Sequence, residues 1–411
     1  MRKWLTKAQK SANIEDMKYI HRLQEKKILE SINRGKSVLL LGARQTGKTT
    51  LIGKLKHDLA ISLVRPDTRQ RYEKMPELLT GEIEYLAEKK AKRPLILLDE
   101  IQKAFVLLDV AQDLIDRGIA NFVFTGSSAR KLYRGTKANL LPGRVVNCRL
   151  DPFTLTELRI DNLKDILLYG SLPGITNVKD IKHKETDLES YVTIYLEEEV
   201  RAEALVRNLG AFARFLEYAA SESGNIVNFR KLSQEIGVAH TTIKDYYQVL
   251  EDCLIVERVE PVTKSRTRKK LTKSSKYLFF DLGVRRVASR EGVKLPRDRF
   301  GSLFEQFIGL ELIRIGRLSN DKVKILFWRD PDGPEVDWVI ENEEEYIPIE
   351  VKWTDAPSSK DARHLKTFQQ EYPKAKTAYV VCRTPRKIKL DKNIYAIPWQ
   401  EIDSLIKIDK N

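Results

Sequence analysis

This sequence predicts an α/β fold, with a doubly wound parallel sheet over residues 1–160 and a second α/β unit at the carboxyl end. Three observations carry that expectation. Residues 37–41, Ser-Val-Leu-Leu-Leu, run as an apolar strand into GARQTGKT at 42–49 and then into the helix-like TLIGKLKHDLA. Residues 94–100, PLILLDE, are too continuously apolar for a half-exposed strand and end in two carboxylates. Farther on, Glu335-Val-Asp337 and Glu350-Val-Lys352 occupy two strands of one expected hairpin.

The first stretch fits GxxxxGK[ST] in a strand, loop and helix context, which makes it a P-loop and the chain a binder of ATP. Gly42 and Gly47 let the backbone of Ala43, Arg44, Gln45 and Thr46 wrap a phosphate chain with successive N–H groups turned inward, at a helix start whose dipole favours anions. Lys48 reaches the β- and γ-phosphates, Thr49 supplies one Mg²⁺ ligand, and Thr50 completes the loop. The second stretch reads as a Walker B strand, with Asp99 on Mg²⁺ and Glu100 polarising the attacking water. Residues 121–128, NFVFTGSS, form another buried strand that delivers Thr125, Ser127 and Ser128 to the same sheet edge, where Ser127 can orient the water or the γ-phosphate.

The order of elements follows. A lead-in helix spans 25–32, then come the P-loop strand, a strand near 60–64, a helix over 73–90, the Walker B strand, a helix over 105–117, the 121–128 strand and a last strand over 145–150. This is the additional-strand, AAA-like P-loop topology, with nucleotide at the carboxyl ends of the strands. Between the last two strands, SSARKLYRGTKANLLPGRVV holds Arg130, Arg134 and Arg144 and no acidic residue. In a homo-oligomer, Arg144 or Arg130 can serve as an arginine finger on a neighbour's γ-phosphate; plain surface charge is the alternative.

Residues 161–225 read as a helical linker or lid, with apolar residues three and four apart. Residues 226–290 read as a winged helix-turn-helix. RKLSQEIG buries Leu232 and Ile236, Val238 plugs the core, and a recognition helix from Thr241 presents Thr242, Lys244 and Tyr246 or Tyr247 outward. Strands at 255–259 and 277–280 flank KSRTRKKLTKSSK, whose Lys264, Arg266, Arg268, Lys269, Lys270, Lys273 and Lys276 can neutralise DNA phosphates without sequence preference. Protein docking is the other use of such a module.

Residues 291–411 hold the second constellation. Glu305 lies in an apolar helix, and strand alternation puts Glu350 and Lys352 on one face beside Asp337. Asp337 and Glu350 can share a divalent metal, with Glu305 as third ligand and Lys352 positioning water. This is the D…(D/E)xK pattern of restriction-endonuclease-like (PD-(D/E)xK) cores; the same fold also serves as a non-cleaving platform.

Composition sets limits. At 411 residues the chain exceeds one core, and 42% hydrophobic with 32% charged residues suits a globular protein with no membrane-length apolar run. The amino terminus lacks an apolar stretch of signal-peptide type, and Cys148, Cys253 and Cys382 read as reduced core residues of a cytoplasmic protein. The net charge of +15 favours a polyanionic partner, DNA above all, or else reflects a general preference for lysine.

GARQTGKTTL, LLDEIQK, FTGSSARKL, LPGRV, KYLFFDLGVRR, GSLFEQFIGLEL, EVDWVI and IEVK together resemble the bacterial and archaeal AAA-type ATPases with a carboxyl-terminal DUF4143 domain, over nearly the whole chain. The resemblance implies an initiator- and STAND-like P-loop core, with Lys48, Thr49, Asp99 and Glu100 at its ATPase positions. It also implies a nuclease-like fold with Glu305, Asp337, Glu350 and Lys352 at its acidic site, where Val336 replaces that motif's proline. The expected protein is a cytoplasmic, DNA-binding ATPase with a candidate Mg²⁺-dependent nuclease domain, or a non-cleaving ATP-driven switch.

Overall fold

The structure, a computed structural model, describes residues 19–128, 143–158, 162–196, 208–263, 272–330, 333–343 and 345–408. The amino-terminal unit is built on β1 (Ser37–Leu41), β2 (Leu59–Ser62), β3 (Leu95–Asp99), β4 (Asn121–Gly126) and β5 (Val145–Arg149). They lie in the order β2-β3-β4-β1-β5, all parallel. β4 therefore separates the P-loop strand from the Walker B strand, as the additional-strand topology requires.

Alternation along these strands explains the burial of both faces. Leu39, Leu41, Ile96, Leu98, Phe122 and Phe124 enter one core, while Val38, Leu40, Leu95, Leu97 and Val123 enter another with Ile28, Leu51 and Ile52 from flanking helices. The helix expected over 73–90 is two helices, Pro66–Lys74 and Glu77–Glu88. Pro76, at the amino-terminal boundary of the second, accounts for the break.

Two helices, Phe229–Ile236 and His240–Asp252, occupy the segment expected to form a helix-turn-helix pair. Asn228 caps the first by accepting from the Arg230 and Lys231 amides, each at 3.1 Å. On the second, Lys244 is exposed and Thr242 half-buried, but Tyr246 and Tyr247 do not face outward. Both are buried, Tyr246 against Phe212 and Phe215 and Tyr247 against Phe215, with Tyr247 stacked on Tyr277 at 4.2 Å. Residues 246 and 247 follow Ile243 by three and four, so they share its buried stripe, and the tyrosines belong to the core rather than to a reading surface.

β6 (Val256–Pro261) and β7 (Lys276–Phe279) pair antiparallel beside these helices. Arg266, Arg268, Lys269 and Lys270, like Lys264, lie outside the described residues, as do Arg130 and Arg134. The hairpin does not stand alone. β6 also pairs in parallel with β8 (Lys324–Arg329), which runs on through β9 (Glu335–Glu341), β10 (Tyr346–Val351), β11 (Ala378–Cys382), β13 (Ile394–Pro398) and β12 (Ile388–Asp391). One eight-stranded sheet thus crosses the division expected near residue 290. Leu303, Phe304, Phe307 and Leu310 of the Arg299–Leu318 helix pack on it with Trp338 and Ile349. All three cysteines are buried, and none of them forms a disulfide. No helix among the described residues is long and apolar enough to cross a membrane.

Candidate functional site

The P-loop backbone is set by two close constraints. A Cβ at Gly42 would meet the Leu150 carbonyl oxygen at 2.5 Å, so no larger residue lets the loop lie against the end of β5. Gly47, at φ +92°, makes the left-handed turn that starts the Lys48–Lys54 helix. Thr46 is buried, with Oγ1 donating to the Ala43 carbonyl at 2.9 Å, and Lys48 curls over the loop with Nζ 2.8 and 2.9 Å from the Gly42 and Ala43 carbonyls. Gln45 and Thr50 are exposed. The Arg44 amide donates to Tyr195 Oη at 3.3 Å, and the Arg44 carbonyl accepts from Tyr191 Oη at 3.2 Å.

Asp99, at the end of β3, is buried and gathers hydroxyls from three elements. Thr49 Oγ1 lies 3.2 Å from both carboxylate oxygens, Thr125 Oγ1 donates at 2.6 Å from β4, and Ser62 Oγ at 3.5 Å from β2. Glu100 follows in the left-handed region, φ +58° and ψ +51°, a conformation that costs a non-glycine residue roughly 1–2 kcal/mol. Its amide is held by Thr125 Oγ1 at 3.0 Å, and its carboxylate by Ser127 Oγ at 3.3 Å and by Gln102 Nε2. Thr49 and Asp99 therefore present convergent hard oxygen donors that fit Mg²⁺.

Arg144 is not part of this group. It precedes β5 at the amino-terminal edge of the sheet, opposite the P-loop, and is ion-paired with Asp116. Because the nucleotide edge of a parallel sheet is the carboxyl one, Arg144 cannot contact the chain's own nucleotide.

Besides Tyr191, sequence reasoning passed over four residues that the fold brings here. Ser62 and Gln102 touch Asp99 and Glu100, and Tyr195 sits on the loop. Behind the loop, Arg22 is buried, donating to the Thr46 carbonyl at 2.8 Å, the Asp151 carbonyl at 2.6 Å and Glu157 at 3.0 Å. Only Gln102 carried a local signal, two residues beyond Glu100.

The carboxyl-terminal site brings Asp337, Glu350 and Lys352 together. Asp337 Oδ2 accepts from the Val351 amide at 2.8 Å, and Lys352 Nζ lies 3.3 Å from Glu350 Oε2. Glu305 is held differently: Lys276 Nζ of β7 donates to its Oε1 at 3.0 Å, with the same ammonium 5.1 Å from the Phe327 and Trp338 rings. Among the described residues no group of three or more His, Cys, Asp or Glu side chains is spaced to hold a metal ion. Of the expected set of Glu305, Asp337 and Glu350, the helical carboxylate Glu305 is thus paired with Lys276.

Burial, then the charge of Asp337 and a hydrogen bond with it, push the Glu350 carboxyl up to about 10 against Lys352. Burial and Asp337 push Glu305 up to about 7 against Lys276. For Lys352, burial acts to lower the ammonium, but Glu350 and Asp337 outweigh it and hold it above the ordinary lysine range.

Three family models match successive parts of the chain: an AAA domain over residues 34–159, a domain of unknown function (DUF8612) over 160–294, and another (DUF4143) over 300–402. Relatives along almost the full length include the uncharacterized protein Rv2008c of Mycobacterium tuberculosis, 24% identical over 93% of this chain and 85% of that one. The uncharacterized protein MJ1637 of Methanocaldococcus jannaschii is 24% identical over 94% and 89%. Among solved structures, the Aeropyrum pernix ORC1 protein in complex with DNA aligns at 13% identity and TM-score 0.29, covering 67% of this chain and 93% of that one. Cdc6p from Pyrobaculum aerophilum aligns at 14% and 0.26, covering 67% and 97%.

A carboxyl whose folded pKa lies above its unfolded value binds its proton more tightly in the folded state. Its stability contribution is whole below about 4.5 and is lost as pH climbs toward about 10. Glu350→Gln is therefore expected to melt at a higher temperature than wild type near pH 8 and close to it near pH 5. Thermal melts at the two pH values check this, and an equal gap at both would contradict it.

Proposed function

We propose that this chain, an AAA-type P-loop ATPase with a carboxyl-terminal DUF4143 domain, binds ATP with Mg²⁺ at the Thr49–Asp99 edge and uses hydrolysis to control a DNA-binding surface. The observation that carries the nucleotide half is the convergence of Thr49, Thr125 and Ser62 on the buried Asp99, directly beyond a P-loop. The P-loop amides and Lys48 hold the phosphates, and Glu100, turned by its left-handed backbone, takes a proton from the attacking water. Thr49 and Asp99 would hold Mg²⁺, which would supply charge neutralisation of the phosphates.

The DNA half rests on the helix-turn-helix pair with its attached hairpin, read as a winged helix, and on the net charge of +15. Lys244 on the second helix and the basic residues Arg266, Arg268, Lys269 and Lys270 of the wing supply phosphate contacts. For the carboxyl-terminal unit, the Lys276–Glu305 pair favours a non-cleaving platform over a metal-dependent nuclease, since one corner of the acidic site already carries its own cation.

Lys48→Ala should abolish ATP binding, whereas Glu100→Gln should keep binding and stop turnover, because only the first removes a phosphate contact. Equilibrium binding of a fluorescent ATP analogue and phosphate release separate the two. Normal turnover by Glu100→Gln overturns the assignment of Glu100.

Replacing Arg268, Lys269 and Lys270 with Ala should weaken DNA binding evenly across sequences and lower the salt slope by about three, close to one per phosphate contact. In the same experiments, linear and single-stranded DNA should stay intact with Mg²⁺ or Mn²⁺, with or without ATP. Cleavage that Asp337→Ala removes would restore the nuclease reading, and an unchanged salt slope would move the wing to protein docking.

A further inference from the structure

We propose that Gln102 positions the attacking water of ATP hydrolysis, an inference that rests on the ATPase reading above. The single helical turn Ile101–Lys103 follows the left-handed Glu100, and this reversal returns the Gln102 side chain to the end of β4. There the side chain is 8% exposed, and each of its two polar atoms has a different fate. Nε2 donates to Glu100 Oε2 and to Ser127 Oγ at 3.1 Å, while Ser127 Oγ itself donates to Glu100 Oε2 at 3.3 Å. Oε1 is buried and has no hydrogen-bond partner among the described residues.

A buried amide oxygen without a donor is uncommon in native folds, and it marks a place where a ligand completes the bonding. Here the amide plane decides which ligand. With Nε2 committed to Glu100 and Ser127, Oε1 of the same rigid group lies close to that carboxylate, just beyond the end of β4. Both protein donations to Glu100 fall on Oε2, which leaves Glu100 Oε1 to receive a proton. Two acceptors, Glu100 Oε1 and Gln102 Oε1, then hold the two hydrogens of one water and turn its lone pair toward the γ-phosphorus.

In the step itself the water oxygen bonds to the γ-phosphorus as the bond to the β–γ bridging oxygen breaks, and ADP leaves with that electron pair. One water proton passes to Glu100. The other, held by Gln102 Oε1, stays on the transferred oxygen and departs with inorganic phosphate. Gln102 exchanges no proton, so it is a positioning residue. Its loss should appear in kcat and not in ATP binding.

The test is Gln102→Leu in the full chain, a change of similar volume that removes both polar atoms. The expected kcat falls on the order of 10²-fold, the range of one oriented proton-transfer partner, with KM for ATP within about threefold of wild type. ADP with beryllium fluoride, which mimics bound ATP, should bind as in wild type, which also reports that the variant is folded. ADP with aluminium fluoride, which mimics the in-line transition state together with its water, should no longer be trapped. Wild-type turnover by the variant overturns the inference, and so does equal loss of both fluoride complexes, which would mean a structural role. A wild type that binds ATP and never hydrolyses it instead overturns the ATPase reading itself, and this inference with it.

Discussion

Asp99 holds a carboxylate almost out of reach of water, at 6% exposure, and three hydroxyls from separate elements turn toward it. A charge so placed is tolerable only when fully hydrogen-bonded, since removing a partner from a buried ion costs several kcal/mol. The sheet order answers that demand. With β4 inserted between β1 and β3, Thr125 reaches Asp99 from one side and Ser62 from the other, while the helix after the P-loop lowers Thr49 from above. Thr125 also holds the Glu100 amide, so the strand that completes the Asp99 shell fixes the turn that aims Glu100.

The amino-terminal sheet is joined to the carboxyl-terminal one by a second buried polar system. Asp151, just after β5, pairs with Arg317 at 2.9 Å and with Arg149 at 3.1 Å, and both arginines reach Glu257 on β6. Burial acts to raise the Asp151 carboxyl, but Arg317 and Arg149 overcome it and hold it below the ordinary range. Arg22 takes the Asp151 carbonyl with one nitrogen and the Thr46 carbonyl with another. One chain of charge-assisted hydrogen bonds thus runs from the P-loop backbone to the long helix and to the hairpin of the helix-turn-helix pair. The units share polar contacts as well as apolar ones, and the sheet that spans residue 290 belongs with this joining.

The local parts of this design were legible in the sequence because local rules govern them. GARQTGKT, PLILLDE and NFVFTGSS each carry an element type in their own pattern, and the strands formed where the apolar runs lie. Asp337, Glu350 and Lys352 meet because a hairpin and a period of two decide it. What sequence could not show depends on long-range packing. Arg22 and Ser62 have no motif, and their roles exist only once residues far apart meet. The outward placement of Tyr246 or Tyr247 failed because the helical stripe begun by Ile243 continues through both, and aromatic partners at 212, 215 and 277 cover it. The pairing of Glu305 with Lys276 was hidden in the same way, since that cation comes from a strand in the other expected domain.

On this reading the P-loop and the Asp99 shell form one nucleotide site at the carboxyl edge of the first sheet. Hydrogen exchange of the full chain, with and without saturating ATP and Mg²⁺, tests it most directly, because the phosphates bond to backbone amides. Exchange should slow at residues 42–49 and 99–102 and stay unchanged in β9 and β10. Unchanged exchange at residues 42–49 with ATP present would contradict it.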